Sequence, residues 1–326
     1  MTAQEIVARI RQRLAEQSIS WRTETVDTFK AGNPETAVSG IATTGMATFA
    51  VLKRAAKSGR NFVITHEPTF YNHLDQTAAF EQDATYQAKQ RFIREQNLVV
   101  WRFHDHAHAI RPDPLVVGSA RMLGLSPFAS PSENRIYVIP QTTLRQFARD
   151  VARRLEGRAI RVAGDPDMKV TRIALGPGYG VPALTAGFDV SVGGEAPESG
   201  GNAEYVEDAT TIGQPKGVIV LGHMMSEDWG MREVGDWLKA FLTDVPIDWV
   251  PAGEPFSELP RTTAACLEIN RRSGGQEDVF EDPPELMTSC IALAGGQRYF
   301  FAATLSSPSF AAMSSADVAG FTALSM

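Results

Sequence analysis

The sequence predicts an α/β protein in two blocks followed by a C-terminal extension. Three observations carry that expectation. Helical periodicity alternates along the chain with short, continuously apolar runs, the mark of strands covered on both faces. A Pro/Ser-rich passage from Ser126 to Ser132 interrupts the alternation, which then resumes. Beyond about residue 258 the pattern gives way to loop-like stretches such as Arg271–Gly275 and Glu281–Pro284. A chain of 326 residues has room for two domains, each with its own core.

The elements follow in order. Ile6, Ile10 and Leu14 recur at helical spacing with Arg9, Arg11 and Arg13 between them, so residues 2–17 form an amphipathic helix and not the apolar core of a signal peptide. A helix near 45–58 leads into the strand Phe62–Thr65, and a helix near 84–96 into the strand Leu98–Phe103. After the break come a strand over 135–139, a helix over 142–155 and a strand over 170–175. A tight turn follows in the Gly-rich run Gly176–Gly180, which lacks the Lys–Ser/Thr of a phosphate-binding loop. The pattern continues with the strand Gly217–Leu221, a helix over 229–243 and the strand Ile247–Val250. Residues 1–124 with 213–257 form the first domain in this reading and 125–212 the second. The extension, 258–326, has one convincing strand, Tyr299–Leu305.

Composition narrows the function. Apolar residues at 43% and charged residues at 21% are ordinary globular usage, and a net charge of −7 without a basic block argues against a nucleic-acid surface. No apolar run approaches the ~20 residues needed to span a bilayer, so the expectation is a cytoplasmic protein that does not cross a membrane. The cysteines are two, Cys266 and Cys290, with no metal-binding spacing, so any metal must be held by nitrogen and oxygen.

Five of the six histidines fall in three segments, each following an apolar strand. These are Thr65–His66–Glu67–Pro68–Thr69–Phe70, then His104–Asp105–His106–Ala107–His108, then Gly222–His223–Met224–Met225–Ser226–Glu227. Sites in α/β proteins are built at strand ends, and imidazole with carboxylate suits zinc, manganese or iron. One histidine after a strand is ordinarily just a hydrogen-bonded residue; three clusters in register are not. His104, His106 and His108 would share one face if the strand continued, and His223 and Glu227 can meet one ion if their segment opens a helix. Pro68 and Phe70 exclude the zinc-protease motif HExxH, and no Asp–His pair follows the HxHxH run as a metallo-β-lactamase would require.

In this order the segments resemble the GTP cyclohydrolase 1 type 2, or NIF-three-like, family, whose pattern is T-H-H-P-x-F, then H-x-x-x-D, then G-H-x-x-x-E. Further echoes are Val26–Asp27–Thr28, Val192–Gly193–Gly194–Glu195 and Asp236–Trp237–Leu238. The resemblance spans roughly residues 5–257 and implies two interlinked α/β domains, a homohexamer and a dinuclear centre of two divalent cations (Zn, Mn or Fe). The implied ligands are His66, Glu67, His104, His108, His223 and Glu227, with Glu227 bridging. Two positions depart from the pattern: Glu67 stands where the family has histidine, and His108 where it has aspartate. The exchange leaves four histidines and two carboxylates.

Two cations about 3.5–4 Å apart hold a hydroxide and polarise the bond it attacks, which points to a hydrolase of a small-molecule substrate. Glu67 is either a ligand or a general base, while Asp105, His106 and Asp228 are placed to orient ligands through outer hydrogen bonds. Phe70, Tyr71 and Trp229 flank the ligands as candidate pocket walls. The rival is a metal-binding or regulatory scaffold without catalysis, whose coordination would be closed.

Overall fold

The computed structural model describes residues 1–156, 159–184 and 187–256. The expected strand Tyr299–Leu305 and the rest of the extension lie outside the described residues. The chain opens with α1 (Ala3–Glu16), whose N-terminus is closed by a capping box in which the Thr2 hydroxyl accepts from the Glu5 amide and Glu5 reaches back to Thr2. Then follow β1 (Phe29–Ala31), β2 (Ile41–Thr44), α2 (Phe49–Lys57), β3 (Phe62–Thr65), α3 (Ala84–Glu95), β4 (Val99–Arg102) and α4 (Pro114–Met122). The next run is β5 (Ile136–Thr143), α5 (Leu144–Arg154), β6 (Arg161–Ala163), β7 (Lys169–Gly176), β8 (Val190–Gly193) and α6 (Asn202–Thr211). The described elements end with β9 (Gly217–Val220), α7 (His223–Lys239) and β10 (Ile247–Trp249).

Two five-stranded mixed sheets result, in the orders β1-β4-β3-β2-β10 and β5-β7-β8-β9-β6. In each sheet the inner strands run parallel, and the antiparallel pairs are β1 with β4, β5 with β7 and β6 with β9. Strand alternation divides the first sheet's residues between two cores. Ile41, Phe62, Ile64, Val99 and Trp101 pack against Ile6, Ile10 and Leu14 of α1 and Met231, Val234 and Leu238 of α7. Ala42, Val63 and Val100 face Val51, Leu52 and Ala55 of α2 and Ile93 of α3. The second sheet is covered likewise, by Leu144, Phe147 and Val151 of α5 on one face and Val206 of α6 on the other. Coverage on both faces is why the central strands read as unbroken apolar runs.

The two halves interlock through α4 and α7. A Cβ on Gly118 would stand 2.4 Å from the Gly230 nitrogen, and one on Gly230 would stand 2.5 Å from the Leu115 Cα, so the helices cross at backbone contact. The division expected from sequence changes here. β9 pairs with β8 and β6 in the second sheet, not with the first block, whereas β10 pairs with β2 in the first. α7 spans the two. It also begins at His223 and not at 229, because β9 passes into it through only two residues, Leu221 and Gly222. α2 begins at Phe49, capped by the Thr48 hydroxyl, four residues later than its pattern suggests.

Candidate metal centre

The parallel strands deliver the three histidine segments to one place. β3 ends at Thr65 beside Arg102 of β4, and β8 ends at Gly193 beside Val220 of β9, so the carboxyl ends of both sheets face the same interior. His66 leaves β3 fully buried. After β4 the chain does not continue as a strand but coils into turns, in which the His108 amide donates to the His104 carbonyl at 3.1 Å. That coil brings His104 and His108 onto one side and sends His106 the other way. One carboxylate, that of fully buried Asp27, organises the coil by accepting the amides of His104, Asp105 and His106 at 2.7, 3.0 and 2.9 Å. On α7, His223 and Glu227 stand one turn apart and meet, Nε2 to Oε2, at 3.0 Å.

Each inward histidine is held from behind at Nδ1. His66 donates to the Phe103 carbonyl at 3.3 Å, His104 pairs with Asp105 at 3.0 Å, His108 with Asp113 at 3.1 Å, and His223 with Glu195 at 2.9 Å. Carbonyl and carboxylate partners favour the proton on Nδ1, which turns Nε2 inward as the ligand atom, with a cation taking the place of the proton that His223 Nε2 shares with Glu67 and Glu227. The Nε2 atoms converge. His66 Nε2 lies 3.6 Å from Glu227 Oε2, 3.9 Å from Glu67 Oε1, and the latter lies 3.3 Å from His223 Nε2 and 4.0 Å from His104 Nε2. Ligand atoms of His66, His104 and His108 all fall within 4.8 Å of one another, as do those of His66, Glu67 and Glu227.

The electrostatics fit a cation. His66 Nε2 is buried without a hydrogen-bond partner, and Glu227 Oε2, which it faces, has only His223 Nε2 beside it at 3.0 Å, a costly state for a buried polar atom unless an ion satisfies it. Burial, with the neighbouring His104, holds the His66 imidazole well below its ordinary pKa, hence neutral as a ligand must be. Burial would push Glu67 up, but the hydrogen bond from His223 and the surrounding imidazoles outweigh it and hold the carboxyl well below the usual range. The same two glutamates overcome the effect of burial on His223 and raise it far above an ordinary histidine. Two carboxylates in a protein interior draw a positive charge to themselves, and a divalent cation supplies it.

Two of the candidate ligands, Glu67 and His223, line a cleft of about 1440 Å³ together with Tyr71, His73, Lys89 and Tyr179 among others. Tyr71 is half-exposed and lines this cleft. Phe70 instead is core, packed on Tyr86, and Trp229 packs tilted against Trp249, with Arg232 over its ring, away from the cleft lining. Asp105 holds His104 as a supporting residue. Asp228 touches none of the ligands; it clamps backbone, accepting the amides of Gly45 at 2.9 Å and Ala252 at 2.8 Å. His106 is stacked on Trp21, with ring centroids 3.8 Å apart, and pairs with Asp27 at 2.7 Å.

Sequence reasoning passed over several contributors. Asp113 pairs with His108, and Glu195, named from sequence only within the Val192–Glu195 echo, pairs with His223. Arg102, fully buried, donates to the His66 carbonyl at 2.9 Å and faces Glu67 at 3.8 Å. Gly178, read only as a turn residue, has φ +63° and lies over the centre: a Cβ there would stand 2.2 Å from Glu227 Oε1. Its amide is pinned by the Ser226 hydroxyl at 2.9 Å. The legible signals were the Asp–Pro helix cap at Asp113–Pro114 and a charged residue ending an apolar strand at Arg102.

Comparison with known proteins gives the fold a name. A structure titled as a Bacillus cereus protein related to NIF3 superposes with TM-score 0.60 at 15% identity, covering 79% of this chain and 99% of that one. Staphylococcus aureus SA1388 gives TM-score 0.58 at 17% identity over 79% and 99%. The protein ybgI, of unknown function by its title, gives 0.58 at 20% over 78% and 100%. No curated protein matches the chain. The sequence profile described as Duf34/NIF3 (NGG1p interacting factor 3) matches residues 1–251, and the chain belongs to that family.

Proposed function

We propose that this protein is a metal-dependent hydrolase of a small-molecule substrate, working with two divalent cations. One observation carries the reading: His66 Nε2, buried and without a hydrogen-bond partner, lies 3.6 Å from Glu227 Oε2, which His223 Nε2 also approaches at 3.0 Å, next to an open cleft lined by Glu67 and His223. His66, His104, His108, His223, Glu67 and Glu227 would hold the ions. Bound divalent cations supply Lewis acidity, activating water and polarising the bond to be broken.

The chain's own residues do the rest. The four Nδ1 contacts fix the direction of every Nε2, and Gly178 leaves the space above Glu227 clear. Glu67 is ionised at neutral pH, as a ligand must be, whereas a general base works best with a pKa near the working pH of about 7. Its role as a ligand is therefore favoured over that of a base. The cleft also bears on the rival scaffold reading, since a purely structural centre has no need of a solvent-accessible face. A panel of cyclic amides, esters and phosphoesters screened with metal-loaded protein tests the proposal. Turnover that is abolished by chelation and by Glu227→Ala supports it; a metal-replete protein inert on every class would favour the scaffold.

A further inference from the structure

The six candidate ligands are not evenly mixed. His66, His104 and His108 form a near-equilateral group, with ring centroids 4.5, 4.9 and 5.1 Å apart. Their ring nitrogens lie within 4.8 Å of one another, so a single ion can take all three. Two of the three are backed at Nδ1 by carboxylates, Asp105 and Asp113, which makes the imidazoles stronger donors. The remaining ligands are of another kind. His223 stands between two carboxylates, 3.0 Å from Glu227 and 3.3 Å from Glu67, and Glu67 is closer to it than to His66 or His104, at 3.9 and 4.0 Å. Glu227 joins the halves, since the oxygen that meets His223 also lies 3.6 Å from His66.

A three-imidazole set and a carboxylate-rich set select different ions. A three-histidine face with an open position is a preferred zinc environment, while carboxylate oxygens suit harder ions such as manganese. We infer that the centre is asymmetric and takes two unlike metals: a zinc-class ion at His66, His104 and His108, and a manganese-class ion at Glu67, His223 and Glu227. The inference rests on the proposed dinuclear reading and extends it to the identity of each position. It also gives a consequence to the two departures from the family pattern, because Glu67 and His108 place one carboxylate and one imidazole so that like ligands gather together.

The test uses chelator-stripped full-length protein given one equivalent of zinc per chain and then excess manganese, desalted and measured by elemental analysis and electron paramagnetic resonance. The expected result is one zinc and one manganese per chain, with the six-line spectrum of isolated manganese. His108→Ala should lose the zinc and keep the manganese, and Glu67→Gln the reverse, each checked for a cooperative melt. Should a variant not fold, the wild-type spectrum decides alone. Spin-coupled manganese pairs beside chains carrying two zincs would overturn the sorting and leave the dinuclear reading intact. No retained metal at all would overturn both.

Discussion

At the residue scale the candidate ligands are positioned by groups outside the cluster. Asp113 serves two masters: Oδ1 caps α4 by accepting the Leu115 amide at 2.9 Å, and Oδ2 holds His108 and Arg135, both at 3.1 Å. Asn at this position can still cap but cannot act as the anionic partner of an imidazole. Asp113→Asn should therefore leave the melting temperature nearly unchanged and weaken metal binding about 10–100-fold, read by competition with a chelating dye. Equal affinities would show that the contact orients nothing. Lys89 makes a second case. Its Nζ is buried, donates to the Thr69 carbonyl at 2.6 Å, and lies over the Phe70 and Tyr71 rings at 5.4 and 5.6 Å. Burial lowers its pKa from 10.5 to about 8, against a smaller opposing effect of Asp75. Above pH 8 the folded protein sheds a proton that the unfolded chain keeps, so this lysine's contribution to stability improves as pH rises towards 10.5, by about 3 kcal/mol in all. Denaturation of Lys89→Met across that range should lack the gain. Parallel curves for variant and wild type would contradict it.

At the scale of elements, the strand-end segments were legible because the apolar runs of β3, β4 and β9 stop at the ligands they carry. The start of α7 was not. Met224, Met225 and Ser226 carry no helix-start signal, and the cap is Gly222 at φ +92°, which offers no side chain. β1, β2, β6 and β8, as short as the strands that were read, are interrupted by Lys30, Thr43, Arg161 and Ser191, so no unbroken apolar run marks them. Asp27 and Glu195 stand in the motif echoes read from sequence, but which group each holds escaped for a different reason. Asp27 reaches across 77 residues to His104, and Glu195 across 28 to His223, distances over which a single sequence holds no pairing signal. The loop after β7 is where the element matters most for chemistry. Gly178→Ala puts a methyl into the space of Glu227 Oε1 at a φ that disfavours any side chain. Metal content should fall while far-ultraviolet circular dichroism stays that of the wild type. Full metal content in the variant would mean the loop stands clear of the ions.

At the scale of the whole molecule, the two sheets and the crossing of α4 with α7 explain why ligands from both halves of the chain meet. β3 and β4 of the first sheet supply four, and the passage from β9 of the second sheet into α7 supplies two. The expectation of an α/β protein held, whereas the boundary near residue 213 did not, because β9 is an inner strand of the second sheet while α7 and β10 pack with the first. Such an exchange of strand and helix leaves no trace in composition. Residues that pair within one segment were readable; those that depend on how the halves interlock were not. The central claim is that six side chains from both halves hold two ions through Glu227. Elemental analysis of wild-type protein reconstituted with zinc and manganese, beside Glu227→Ala, measures this directly. Two equivalents per chain in the wild type and loss of both in the variant is the predicted result, and a wild-type content near zero, or a variant that keeps one full equivalent, would contradict it.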